Sequence, residues 1–183
     1  LLVFNKDSSL EVDNAALTLN NIRIQKENSA AESKIVPLFS LNNGTLELKN
    51  CELSADFSKN GTVIDASSGV VKVFDSIVSV NAVAYSSFIS SLNSYLIIKD
   101  SVINTSADTS VVISATQGNV DSINNQLKVS ARTGRIAELF GAKGDFERNV
   151  YKCQLPKTPE GFVMIFANKD SVLKELDNSD YAD

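Results

Sequence analysis

Few residues in this chain could do chemistry, and their spacing is the first clue to it. Asp75 and Asp100 lie 25 residues apart, at the same place in two copies of a short motif. If the copies stack as strands, the two carboxylates sit about 4.8 Å apart. Like charges that close repel and favour a cation between them, so the chemistry suggested is a Ca2+ site. Two carboxylates are far short of the six to eight oxygens that Ca2+ takes. Capping of both side chains at a turn is the competing expectation. The 183 residues include no histidine, which removes the commonest general base and zinc ligand. There is no Trp either, and the only cysteines are Cys51 and Cys153. No catalytic constellation, cofactor motif or further metal set is legible. The Gly-containing stretch Gly141-Ala142-Lys143-Gly144 lacks the Lys-Ser/Thr of a phosphate loop.

The motif that carries these aspartates is a repeat. Leu46-Glu47-Leu48-Lys49-Asn50-Cys51-Glu52-Leu53 matches Val71 to Val78 and Leu96 to Ile103 as apolar-x-apolar-x-Asn/Asp-small-x-apolar. Asn50, Asp75, Asp100 and Asn125 step by 25 residues. Leu17 to Ile24 has the same form 29 residues before the Leu46 copy. A second apolar series keeps step: Phe39, Ile64, Ile89, Ile113, Leu139 and Ile165. Each copy holds three short strand signals bounded by Ser, Asn, Gly or Asp.

One such coil cannot bury its own apolar face, but stacked coils bury a continuous core and pair their strands along an axis. The pattern predicts an all-β solenoid of about seven coils, each of about 25 residues with three short strands. Asn50, Asp75, Asp100 and Asn125 should stack at one sharp corner, because Asn and Asp tolerate the left-handed conformation best after Gly. The organisation expected is a single domain over 1–183. Residues 1–36 form a longer first coil with a polar loop at 26–34, 37–169 the regular coils, and 170–183 a C-terminal cap or tail. Asp170 to Leu176 reads as an N-cap followed by an amphipathic turn, hence a short capping helix. A leucine-rich repeat and an antiparallel sandwich compete with this reading. The first should show helical spacing in its non-strand half, and the second does not require Asn and Asp at a fixed register.

The Leu46, Val71 and Leu96 copies resemble the right-handed parallel β-helix of the pectate-lyase-like superfamily, in which a two-residue corner with stacked Asn joins the second and third strands. The resemblance spans roughly 35–166 and extends to non-catalytic bacterial surface β-helix repeat proteins. It implies fold far more than activity. Enzymes of that superfamily place acidic residues and Arg or Lys on the outer face of the first sheet. Outward positions there include Asp65, Ser90 and Glu138, with no assignable basic partner. The polygalacturonase pattern cannot exist without histidine.

Composition narrows the partners. A net charge of −5 with scattered Lys and Arg excludes phosphate-backbone binding, so no nucleic-acid partner is expected. No run approaches the ~18 apolar residues of a membrane-spanning helix. Leu1-Leu2-Val3-Phe4 reads as a strand with no charged region before it, as in an excised or processed chain. Cys51 and Cys153 would lie about four coils, roughly 19 Å, apart. That is beyond disulfide reach, so two free thiols are expected with Cys51 in the core. Asn43, Asn60 and Asn104 fit the glycosylation sequon but are equally ordinary turn residues. The functional expectation is a non-catalytic structural or binding module of a bacterial cell-surface or secreted protein, presenting a flat sheet face to a glycan or protein. The alternative is a polysaccharide lyase or glycoside hydrolase using carboxylates on the first sheet. No cofactor is expected.

Overall fold

The computed structural model describes residues 1–5, 8–26, 36–155 and 164–180. These residues form a parallel β-solenoid of about six turns, with no helix among them. Apolar residues alternate with polar ones along each strand, and parallel in-register pairing puts like positions of successive coils on the same side. The apolar sides of three faces therefore meet along one axis and form a single core running from Phe4 to Ile165.

The first face stacks Leu10–Asp13, Phe39–Asn42, Asn60–Ser67, parts of Tyr85–Lys99, Val102–Ile123 and Gln126–Phe140, and Ile165–Ala167. The second stacks Ala16–Asn20, Thr45–Lys49, Val70–Phe74, the next stretches of two of those long strands, Lys143–Glu147 and Val172–Leu176. The third runs from Leu2–Phe4 through Arg23–Lys26, Glu52–Phe57 and Ile77–Ala82 to Val150–Gln154 and Ser179–Asp180. The three long strands continue around corners where other coils break.

Two of the corners are built alike. At the first-to-second corner Asn14, Asn43, Ser68, Asn93, Gln117 and Gly141 have positive φ. At the second-to-third corner Asn21, Asn50, Asp75, Asp100, Asn124, Arg148 and Asp177 do so. From Asn21 to Arg148, each residue of the second column donates its amide N–H to the coil beyond, as Asn50 does to the Phe74 carbonyl and Asp75 to that of Lys99. Gly118 shows why one corner position lacks a side chain. Its φ is +83°, and a Cβ there would lie 2.1 Å from the Ser94 carbonyl oxygen.

The register corrects two expectations. Asp100 is flanked by Asn124, not Asn125, and Ile113 pairs with Ala137, not Leu139. Asn81 pairs with Ser106 at a separation of 25, but Tyr85 pairs with Thr109 at 24. The third corner of that coil is thus one residue shorter, and the shift carries on to Ile98 with Ser122 and Val102 with Gln126. Leu139 belongs to the next inward column, beside Ala115. There it is fully buried.

Asn125 lies in a buried ladder one position inside the left-handed column. The amide of Cys51 donates to Ser76 Oγ (3.1 Å), Ser76 to Ser101 Oγ (3.2 Å) and Ser101 to Asn125 Oδ1 (2.9 Å). The chain continues from Asn125 to Asn149 Oδ1 (3.0 Å) and from Asn149 to Asn178 Oδ1 (2.8 Å). The corner thus needs two residue types: one tolerant of positive φ, then a small side chain with an acceptor.

Two further corrections concern the ends. Val172–Leu176 is a strand, not a helix. It pairs with Lys143–Glu147, and Lys174 Nζ meets Asp145 Oδ2 at 3.2 Å. Pairing all five residues with a strand edge outweighs the weak propensity of an isolated helical turn. Lys26 does not begin the polar loop; it ends a strand at an inward position opposite Ala55 and is buried. Its ammonium donates to the carbonyls of Ser8 (2.9 Å) and Val36 (3.3 Å) and lies 5.6 Å from the Phe57 ring centre. Positions 27–34 of that loop, and Phe162 and Val163 of the apolar series, lie outside the described residues.

Candidate functional site

The outward side of the first face carries the column Glu11, Ser40, Asp65, Ser90, Ser114, Glu138 and Phe166. Over its first coils it is a plain row of short polar side chains. Asp65 is exposed, yet partial loss of hydration holds its carboxyl above the usual carboxylate range. Asp65 and Glu138 are three strand steps apart, roughly 14 Å.

Alternation breaks along this face. Strict alternation would put residues i and i+3 on opposite sides of a strand. Here Val63-Ile64, Phe88-Ile89, Val112-Ile113 and Ile136-Ala137 are consecutive residue pairs that are all fully buried. Thr62, Ser87 and Val111, which precede the earlier pairs, are buried, but at the last of these coils both Arg135 and Glu138 are partly exposed. Arg135 Nη1 meets Glu138 Oε1 at 3.0 Å, which supplies the basic partner that the sequence did not reveal. The same guanidinium lies 4.9 Å from the centre of the Phe166 ring. Phe140 packs against Phe166 with centroids 5.7 Å apart at 51°.

Beside this group is a cleft of about 270 Å³ lined by Thr109, Val111, Thr133, Gly134, Arg135, Glu138 and Leu155. Thr109 and Thr133 sit on successive coils with their hydroxyls 3.1 Å apart. Beneath them a buried row of hydroxyls is satisfied internally: Ser86 Oγ lies 2.8 Å from Ser110 Oγ, which donates to Thr105 Oγ1 at 2.7 Å. Tyr85 is one coil away. Burial raises the pKa of its phenol, a hydrogen bond with Ser87 lowers it, and the negative charge of Glu138 adds to the rise. The group is thus a charge-compensated Arg–Glu pair, an aromatic wall and a pair of exposed hydroxyls over an apolar floor. It can orient a ligand by hydrogen bonds and ring contacts. It holds one carboxylate where the two-carboxylate chemistry of sugar hydrolysis requires a pair within about 9.5 Å.

The ladder residues fall elsewhere. Asn50, Asp75 and Asp100 are exposed on consecutive steps of the second-to-third corner, far round the coil from this cleft. Asp100 Oδ1 accepts a hydrogen bond from Asn124 Nδ2, and Asn125 is buried. Among the described residues no three Asp, Glu, Cys or His side chains converge as metal ligands. Cys51 is a buried ladder member, with its thiol 3.3 Å from the carbonyls of Leu19 and Lys49. Both cysteines are free, and burial pushes the Cys153 thiol up to about 11.

Sequence reasoning found Glu138 but missed Arg135, Phe166, Phe140 and the two threonines. The available signal was the doubled apolar pair, which recurs at five successive coils from Leu38-Phe39 to Ile136-Ala137. Comparison with family models, curated proteins and solved structures gives no match to this chain.

Proposed function

We propose that this solenoid is a non-catalytic binding module of a bacterial cell-surface or secreted protein, with the right-handed coiling of pectate-lyase-like β-helices. It presents its first face to a glycan or protein ligand. The observation that carries this reading is the Arg135–Glu138 pair against Phe166, at the edge of a cleft lined by Thr109 and Thr133. Binding sites for small polar ligands combine an apolar lining with a few placed polar groups, and this cleft has that make-up. The threonine hydroxyls of the lining, with the Phe166 ring behind Arg135, favour a glycan. Surface localisation rests on the resemblance of the repeat alone.

Separation of the carboxylates argues against the hydrolase form of the alternative. Asp65 and Glu138 are too far apart to flank one glycosidic bond, and Glu138 is engaged with Arg135. The test is titration calorimetry of the protein with neutral and acidic oligosaccharides, in parallel with assays for new reducing ends and unsaturated products. Saturable binding that falls at least tenfold in Arg135→Ala, without product, is the expected outcome. Product formation would overturn the non-catalytic reading. Binding indifferent to Arg135 would move the site off this cleft.

A further inference from the structure

The outward side of the third face changes character along the axis. Two columns face outward there, two residues apart on each strand and so roughly 7 Å from one another. One runs through Ile77, Val102, Gln126 and Val150. The other reads Gln25, Ser54, Ser79, Asn104, Lys128 and Lys152. The second column carries no charge until it reaches the two lysines, which stand directly opposite each other on neighbouring coils. Like charges in cross-strand positions repel. Earlier on this face a basic residue is matched, since Arg23 Nη2 lies 2.7 Å from Glu52 Oε2. Among the described residues no carboxylate forms an ion pair with Lys128.

Lys128 and Lys152 border a cleft of about 350 Å³, lined also by Val102, Asn104, Gln126, Leu127 and Val150. It shares no lining residue with the cleft beside Arg135. Clefts of this size hold small molecules. Val102 and Val150 are half-buried and stand two strand steps apart, roughly 10 Å along the axis. Lys128 is half-buried on the coil between them. A lysine held in this way lays its hydrocarbon stem along apolar surface and keeps its ammonium at the rim. The cleft thus offers an apolar trough as long as a medium acyl chain, with positive charge along one side and no acidic residue in its lining. A neutral apolar ligand would leave Lys128 without a counter-charge, and a small inorganic anion would leave the valines wet. A molecule with both a carboxylate and a hydrocarbon chain satisfies both.

We propose that the third-face cleft binds a small aliphatic carboxylate, with the carboxylate on the Lys128 ammonium and the chain along Val102 and Val150. This site is separate from the first-face cleft and does not depend on the ligand bound there. The test follows amide chemical shifts of isotope-labelled protein during titration with octanoate, octanol and inorganic phosphate. Octanoate should saturably shift the amides of the strands that carry Val102, Lys128 and Val150, and should bind about tenfold or more tightly than octanol or phosphate. Lys128→Gln should weaken octanoate about tenfold and leave octanol unchanged, while Lys128→Arg should restore most of the binding. If Lys128→Gln loses its β circular dichroism, the ranking of the three ligands on the wild-type protein carries the test. The absence of a saturable shift, or shifts centred on another face, would overturn the site. Octanol binding as tightly as octanoate would overturn the anion contact, and phosphate doing so would overturn the apolar one.

Discussion

The backbone N–H of Asn125 donates to Asn149 Oδ1 at 3.0 Å, while Asn125 Oδ1 accepts from the backbone of Ser101 at 2.9 Å. Each coil thus supplies the acceptor that the coil before it needs, deep in a site that water does not reach. Asn125 Nδ2 also donates to the Ile98 carbonyl at 2.8 Å. Asn125→Ala strands the Ser101 amide and should cost about 1–3 kcal/mol. Asn125→Ser should cost clearly less, because Ser76 and Ser101 already perform this role. Urea denaturation of the two variants checks the difference.

Gly118 gives a sharper prediction. Its φ is +83° and its missing Cβ would collide with the Ser94 carbonyl oxygen. Both the backbone conformation and the neighbouring coil oppose a side chain. Gly118→Ala should therefore destabilise the fold by more than about 2 kcal/mol. Gly141→Ala shares the positive φ but meets only Gln117 Cγ at 3.9 Å, so its loss should be smaller. Thermal melts of the pair separate strain from collision.

The terminal coil should respond to acid. Burial, and then the charge of Asp180, raise the pKa of Glu175. A carboxyl whose folded pKa exceeds its unfolded value binds protons more tightly when folded. Its effect is most favourable in acid and is lost as pH rises through the folded pKa. Glu175→Gln should flatten this part of the stability curve and raise the denaturation midpoint at neutral pH, while leaving it nearly unchanged in acid. Urea midpoints across the carboxylate range measure this.

Thiol chemistry offers a check on burial. With the Cys153 thiol pushed up to about 11, chiefly by burial and then by Asp180, roughly 0.1% is thiolate at pH 8. Cys51 is enclosed within the ladder. Native protein should react with a thiol reagent at pH 8 far more slowly than unfolded protein, at both sites. Rapid labelling of Cys51 in the native state would contradict its placement.

The solenoid was legible because core columns demand the same residue class at every step, so Phe39, Ile64 and Ile89 mark the period plainly. The exact register was not. The corner between Ser106 and Thr109 has one residue fewer than the one between Asn81 and Tyr85, and nothing in the repeating motif marks that loss. It displaced Asn125 from its assigned column, while Leu139 drew the assignment because Ala137, the true partner of Ile113, is small. Val172 to Leu176 looked helical because a polar pair inside an apolar frame suits both periods, and only its edge pairing decides the matter. Arg135 was hidden because the buried pair Ile136-Ala137 interrupts the alternation that would put it opposite Glu138.

The strands that continue around their corners give the solenoid a mechanical character. Tyr85–Lys99, Val102–Ile123 and Gln126–Phe140 fill the middle coils almost without a break, while the coils at either end are assembled from short segments. Each coil touches only its neighbours. A chain pulled from its two ends should therefore unwind like thread from a spool, one loop at a time from the outside inward, with the central windings the last to let go.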